Sequence, residues 1–148
     1  MFKITKELPF IIHGCVHDYE SFPTHTHGLT AIGLPELLID PLAFGYEWNA
    51  CLINDSYFYL THPEKTDLIP LILGGKTVVV KLKTLNPFFP AEDLNICFRT
   101  VTHEFEAVNQ AYEGVDINEL AEMRFIQIYV EGDDFALDDD YYRGGVTW

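Results

Sequence analysis

The stretch THTHGLTAIGLPELLI, residues 24–39, holds two strand patterns separated by turn residues. Its first seven residues alternate in character, which predicts the returning strand of a hairpin that begins with the apolar residues 8–16. Gly33 and Pro35 then interrupt the pattern, since glycine supplies positive φ angles and proline cannot donate to a strand ladder. The last four residues, ELLI, follow as a short apolar strand. The N-terminal quarter of the chain is therefore predicted to contain three consecutive strands.

The pattern continues toward the C-terminus as helices and further strands. Asp40-Pro41 predicts a helix start, with an N-cap acceptor before a proline, and apolar residues at helical spacing carry this helix to about residue 59. The later predicted elements are strands at residues 76–83, 94–101 and 123–130, a helix capped by Thr102 at residues 102–112, and a helical turn at residues 117–120. The order βββ-α-ββ-α-β predicts an α+β fold, a mainly antiparallel sheet of about six strands with two helices packed on one face. We predict a single domain over residues 1–148, because this length suffices for one core.

The charge of the chain restricts its partners. It carries 23 acidic and 9 basic residues, for a net charge of −14. A field of this sign repels phosphate backbones and anionic lipid surfaces, so we expect binding neither to nucleic acid nor to a membrane. It favours a basic protein partner. The lysines of residues 76–83 are typical of an edge strand, and a homodimer could form through this edge or through an aromatic face.

The cysteines and the N-terminus indicate the compartment. Cys15, Cys51 and Cys97 have no C-x-x-C spacing, and each lies among apolar residues. They are typical of reduced core cysteines, so we predict a cytoplasmic protein. The N-terminal apolar stretch is interrupted by His13 and does not have the pattern of a signal peptide. The longest uncharged apolar run, near residues 68–75, is too short to span a bilayer.

The residues T-x-G-L-T-x-x-G-L-P-E-L at positions 26–37 form the most distinctive motif of the chain. The motif resembles the T-x-G-L-T-x-x-G-x-P-E-L core of family 4262 of the domains of unknown function, a widespread group of small bacterial proteins. The order of predicted elements is similar too, with an apolar strand near the C-terminus followed by an acidic, aromatic segment at residues 127–142. His25 and His27 differ from the aromatic and apolar residues more typical of that family, and a Trp-Pro-Asp run is missing near the C-terminus. The family has no established activity, so the resemblance implies no catalytic residue.

The motif residues have two interpretations. In the first they shape turns: Gly28 within a strand indicates close approach of another backbone or a bulge, Gly33 offers a positive φ, and Pro35 fits the start of a strand. In the second, the loop over residues 28–36 lines a ligand groove. The residues predicted for such a groove are Thr26, Gly28, Thr30 and Glu36.

The predicted first hairpin contains His13, His17, His25 and His27, with Cys15 between the first two. Imidazole and thiolate are ligands of zinc and similar divalent metals. Residues two apart on a strand share a face at about 6.5 Å, so His25 and His27 can share an ion, whereas His13 and His17 would be about 13 Å apart. If Cys15 opposes His27 and His17 opposes His25, the predicted metal site is His25, His27, His17 and Cys15. A register shifted by one residue would leave unrelated surface histidines and no site.

Two functions follow from these observations. The sequence contains no P-loop, nucleophile elbow or dinucleotide-binding glycine motif, so we assign no catalytic residue. One function is a non-enzymatic binding or regulatory module for a basic protein partner or a small ligand, which the acidic composition favours. The other is a metal-binding protein or metal-dependent enzyme that uses His25 and His27, with Glu36 as a nearby base.

Overall fold

The structure of the protein is a computed structural model. The residues it describes are 8–14, 23–41, 45–85, 94–132 and 142–143. Two of the predicted metal ligands, Cys15 and His17, lie outside these residues, as does the part of the predicted first helix at residues 42–44.

Within the described residues, seven strands form one sheet. In chain order they are β1 (Ile11–His13), β2 (Thr24–His27), β3 (Glu36–Ile39), β4 (Val78–Lys81), β5 (Asn95–Val101), β6 (Phe125–Val130) and β7 (Tyr142–Arg143). Their order across the sheet is β1-β2-β3-β6-β5-β4-β7. Neighbouring strands are antiparallel except for β3 with β6 and β4 with β7, which are parallel. The hairpin of β1 and β2 therefore forms one edge of a mixed, mostly antiparallel sheet.

Short helices connect the strands. They are α1 (Tyr46–Leu60), α2 (Leu68–Leu73), α3 (Leu82–Leu85), α4 (Glu106–Ala111) and α5 (Ile117–Glu122), with a 3-10 helix at Thr30–Ile32. No helix of the described residues combines the length and the apolar character needed to cross a membrane.

The sheet is apolar on both faces, because successive residues of a strand point to opposite sides. Leu37 of β3 packs in one core cluster with Leu52 of α1, and residues of α2 and α3 join the same cluster. Leu38, the next residue, packs in a second cluster with Val108 of α4 and Leu120 of α5. The helices therefore cover both faces, with α1 to α3 on the Leu37 face and α4 and α5 on the Leu38 face.

The predicted α+β class and the mostly antiparallel sheet are confirmed, whereas the prediction of two helices on one face differs from the structure. The physical reason lies in the central strands. Phe125, Ile126, Gln127, Ile128 and Tyr129 of β6 are all almost inaccessible to solvent. A strand buried on both sides needs cover on both sides of the sheet.

The first helix begins later than its N-cap pattern predicts. The backbone N–H of Asp40 donates to the carbonyl oxygen of Ile128 at 3.3 Å, so Asp40 continues the pairing of β3 with β6. The N-cap of α1 is Gly45. In α4 the N-cap is Phe105 rather than the predicted Thr102. At Asp40, pairing within the sheet therefore overrides a local capping signal.

Candidate metal centre

Three histidine side chains converge on one face of the β1–β2 hairpin. His13 lies directly opposite His25, and His27 lies two residues further along β2. Opposed residues and residues two apart on a strand point to the same face of a sheet. The ring centroids of His13 and His25 are 5.7 Å apart, those of His13 and His27 4.7 Å, and those of His25 and His27 4.9 Å. We call these three side chains the histidine cluster.

The His25 ring is held in one orientation by the backbone. Its Nδ1 atom lies 2.8 Å from the carbonyl oxygen of Pro23. A carbonyl oxygen can only accept, so Nδ1 carries the proton and donates it. In the neutral ring the lone pair is then on Nε2, which lies 3.1 Å from Nε2 of His27. A carbonyl that fixes the far nitrogen of an imidazole in this way is the usual support of a metal-binding histidine.

Tyr112, at the C-terminal end of α4, packs against the histidine cluster. Its ring centroid lies 5.0 Å from that of His25 and 5.1 Å from that of His27. Its hydroxyl donates to the carbonyl oxygen of Thr26 at 2.7 Å, which ties α4 to β2 between the two histidines. Burial, and then the charge of Glu36, raise the pKa of Tyr112 above its ordinary value near 10. The hydroxyl therefore stays protonated and keeps its donor role.

The two histidines of β2 are neutral at pH 7. The pKa of His25 is lowered to about 4, mainly by burial and also by the charges that His27 and His13 would carry, against the opposing effect of the Pro23 hydrogen bond. Burial also lowers the pKa of His27, with His13 as the next cause. His25 is 1% exposed, which explains why its charged form is so disfavoured. Neutral imidazole is the form that coordinates a metal.

The spacing of the donor nitrogens fits a transition metal. One nitrogen from each of His13, His25 and His27 can be chosen so that all three lie within 4.8 Å of one another. A tetrahedral zinc ion with Zn–N bonds of about 2.0–2.1 Å separates its nitrogen ligands by about 3.3 Å. The 3.1 Å between His25 and His27 is already close to that value. His13 is exposed, so its side chain is free of the packing that would stop it closing the remaining distance.

The structure brings together two of the predicted ligands and adds one. His25 and His27 belong to the cluster, but His13, and not His17, lies opposite His25. The sequence left the register open, and the observed one differs by four residues from the register that would oppose His17 to His25. Because four is an even number, His13 still shares a face with the histidines of β2. Cys15 and His17 lie outside the described residues. The sequence could not single out His13, because the connection between the strands fixes the register.

The predicted groove residues form a buried hydrogen-bond network around Glu36. Its Oε1 atom accepts from the hydroxyl of Thr26 at 2.8 Å and the N–H of Leu29 at 3.3 Å. Its Oε2 atom accepts from the N–H and the hydroxyl of Thr30, at 2.8 and 2.6 Å. Glu36 is 2% exposed. The carboxylate thus holds the 3-10 helix against β2. This agrees with the first interpretation of the motif, in which its residues shape turns.

The motif glycines have the conformations that their turn roles require. Gly28 has a φ of 117°, and a Cβ atom there would lie 2.8 Å from the carbonyl oxygen of Pro9. This is the close backbone approach expected of a glycine within a strand pattern. Gly33 ends the 3-10 helix with a φ of 82°. Both positions shape the segment that follows the histidines of β2.

Comparison of the chain with protein-family models, with curated proteins and with solved structures found no match. The resemblance to family 4262 of the domains of unknown function stays a prediction.

Proposed function

We propose that the protein is a metal-binding module that holds one zinc-like divalent ion at His13, His25 and His27. The observation that carries the proposal is the 3.1 Å separation of the Nε2 atoms of His25 and His27. The hydrogen bond from Nδ1 of His25 to the carbonyl oxygen of Pro23 leaves the lone pair of the neutral His25 ring on Nε2, the atom that faces His27. Two nitrogens held this way supply one edge of a coordination polyhedron.

The donor set indicates the class of ion. The cluster of His13, His25 and His27 offers three imidazole nitrogens and no oxygen ligand. Calcium and magnesium take oxygen ligands, whereas imidazole suits zinc, copper, nickel and cobalt. We commit to zinc, because three imidazoles with a fourth position left over are a common zinc arrangement.

The fourth coordination position has three proposed occupants. His13 is exposed and His27 is half-buried, so one side of the histidine cluster is open to solvent, and water can reach an ion there. Cys15 and His17, predicted as ligands from sequence, remain proposed for the same position. A Cys15→Ser variant and a His17→Ala variant assign it: weaker zinc binding in one identifies the ligand, and unchanged binding in both identifies water.

Two protic groups near the histidine cluster support a binding module over a metal-dependent enzyme. Glu36, proposed as a base, accepts four hydrogen bonds from its own loop and from Thr26. The hydroxyl of Tyr112 is buried and donates to a backbone carbonyl. Neither arrangement suits proton transfer at a metal-bound water, which needs a group within hydrogen-bond reach of the reacting atoms. A basic protein partner and a cytoplasmic location stay predictions from the sequence. The prediction of an edge strand at residues 76–83 is wrong, because β4 lies between β5 and β7, so that strand offers no free edge for a homodimer.

Zinc titration of the metal-free chain by calorimetry tests the proposal. We expect one zinc per chain, and a loss of affinity of about 100-fold or more in a His27→Ala variant, since loss of a ligand exceeds the loss seen when only its support is removed. A His103→Ala variant is the matched control, because His103 lies three residues before α4 and outside the histidine cluster. Equal zinc affinity in the His27→Ala variant and the parent protein would contradict the site.

A further inference from the structure

An open groove of about 750 Å³ lies beside the C-terminal end of α1. Its walls come from α1, from α2 and from the turn at Gly33 and Leu34, and Arg124 stands at its rim. The wall residues Leu34 and Tyr57 pack against the core cluster of the Leu37 face. The histidine cluster is on the Leu38 face, because His25 opposes Leu38. The groove and the metal centre are therefore separate, on opposite sides of the sheet.

We propose that this groove binds a monocarboxylate with an apolar body, of the size of a medium-chain fatty acid, and that Arg124 receives the carboxylate. A volume near 750 Å³ is within the range of about 300–1,000 Å³ that small-molecule sites occupy. The proposal is independent of the metal site and of its ligands.

The side chain of Arg124 is positioned before any ligand arrives. Its Nη2 atom donates to the carbonyl oxygen of Gly33 at 2.6 Å. A guanidinium has five N–H donors, so this bond leaves donors for an oxygen pair in the fork geometry that matches a carboxylate. Within the described part of the chain, the Arg124 guanidinium makes this hydrogen bond and no ion pair. Arg124 therefore places one positive charge, oriented by one hydrogen bond, in the lining of the groove.

The walls of the groove select an apolar body. Leu34, Leu60, Ile69 and Leu73 contribute aliphatic surface, and no acidic side chain lies among the described residues that line the groove. The hydroxyl of Thr61 already donates to the backbone of α1 at 2.7 Å. Beneath the groove is an apolar void of about 10 Å³, which has room for no more than about one water. Leu60, which lines both the groove and this void, is only 2% exposed, so a ligand would lie along the groove rather than enter the core.

The charge of the protein limits the ligand to a single negative charge. The net charge is −14, so its overall field disfavours anions in proportion to their charge. One guanidinium can offset that field for one carboxylate, whereas a nucleotide or polyphosphate would need several cations. The lining of this groove includes Gly33 and Leu34 of the motif but none of the four residues predicted for a ligand groove, Thr26, Gly28, Thr30 and Glu36. Glu36 and Thr30 hold that turn in shape from within.

Calorimetric titration of the full chain with decanoate, decanol and acetate tests the proposal. We expect decanoate to bind one per chain and decanol, which has the same tail without the charge, to bind about 10- to 100-fold more weakly, as for the loss of one charge-assisted hydrogen-bond pair. Acetate, which has the charge without the tail, should not bind measurably. Equal affinity for decanoate and decanol, or no saturable binding of decanoate, would overturn the proposal.

Four variants test where decanoate binds. Arg124→Gln should lower the decanoate affinity to the level of decanol and leave decanol unchanged. Lys83→Gln is the control, because it makes the same change of charge at an exposed residue of α3 outside the groove. Ile69→Trp fills the groove and should abolish binding of both probes. Equal loss in the Arg124 and Lys83 variants would show a general charge effect and refute the role of Arg124. A His27→Ala variant should bind decanoate normally whatever its zinc affinity, which separates this proposal from the metal site.

Discussion

The Nε2 atoms of His25 and His27 lie 3.1 Å apart, while Nδ1 of His25 donates to Pro23. Two lone pairs at that distance would repel, so in the metal-free protein one of the two Nε2 atoms must carry a proton. His25 already has its proton on Nδ1 in the neutral form, and His27 is therefore the donor of the pair. A metal ion would replace this proton and draw both lone pairs to itself.

The first prediction concerns the tautomers of these rings. In the metal-free protein at pH 7 we expect His25 to be the Nδ1–H tautomer and His27 the Nε2–H tautomer. Zinc binding through Nε2 should move the His27 proton to Nδ1 and leave His25 unchanged. Long-range nitrogen–proton NMR spectra of the histidine rings, recorded with and without zinc, distinguish the tautomers. An Nε2–H tautomer of His25 would mean that the bond to Pro23 does not form.

The second prediction is a loss of stability of the metal-free protein in acid. The pKa of His25 is about 4 in the folded chain and near 6.5 in the unfolded chain. Between these values the unfolded chain binds a proton that the folded chain does not. The contribution of His25 is therefore fully present above pH 6.5 and is lost as the pH falls toward 4. We expect the free energy of unfolding to fall by about 3 kcal/mol over this pH range. Urea denaturation at several pH values measures this loss.

A His25→Gln variant provides the control for that measurement. Burial raises the pKa of Asp40, with the charge of Glu106 as the next cause, so Asp40 makes the folded state relatively more stable in acid and opposes the effect of His25. Because Asp40 is present in both proteins, the difference between them isolates His25. The variant should show a flatter dependence on pH. The same dependence in both proteins would assign the acid sensitivity to other groups.

Local sequence patterns predicted the strands well, because each strand carries its own alternation or apolar run. β2, β3 and β6 fall within the stretches predicted for them. The parallel pairing of β3 with β6 could not be predicted, since it joins segments separated by most of the chain. Asp40 shows the same limit, because its backbone pairs with β6 and this interaction overrides its capping pattern. The sequence does not predict α2, because its six residues are too few to show helical periodicity.

The sequence predicts which residue types form the candidate site, but not the full set of ligands. His25 and His27 share a face in any strand, and that much follows from their spacing. The choice of His13 as their partner depends on the register of the hairpin, which the intervening connection sets. The burial that keeps His25 neutral comes from tertiary packing, part of it with Tyr112 of the α4 region, and no local pattern specifies that contact.

The third prediction concerns the buried carboxylate of the motif. A Glu36→Gln variant keeps the shape of the side chain and replaces one oxygen by an NH₂ group. Either orientation of that amide sets its nitrogen against a backbone N–H, that of Leu29 or that of Thr30. We expect a loss of about 2–4 kcal/mol in the free energy of unfolding, because a buried donor is left without an acceptor.

The matched control for Glu36 is Glu113→Gln, which makes the same chemical change at an exposed position. Exposed substitutions away from specific interactions change stability by about 0.5 kcal/mol or less. Chemical denaturation at pH 7 compares the two variants. A Glu36→Gln variant as stable as the Glu113→Gln variant would show that the network around the motif contributes little to folding.

The fourth prediction separates two glycines that both have positive φ angles. An alanine at either position has a strained backbone, at a cost of about 1–2 kcal/mol. At Gly28 the added Cβ would also lie 2.8 Å from the carbonyl oxygen of Pro9, whereas at Gly33 no atom is within 4 Å. Gly28→Ala should therefore destabilise the protein by about 1–3 kcal/mol more than Gly33→Ala, because the backbones of the two segments must move apart.

The same pair of variants reports on the histidine cluster. Gly28 directly follows His27, and the backbone it touches at Pro9 leads into β1, which carries His13. A displacement there moves the two strands relative to each other and enlarges the distance between His13 and His27. Zinc affinity should accordingly fall in Gly28→Ala and stay unchanged in Gly33→Ala, when each is measured at a temperature where it is fully folded. Equal zinc affinity in the two variants would mean that the ligand geometry does not depend on the close approach of Gly28 to Pro9.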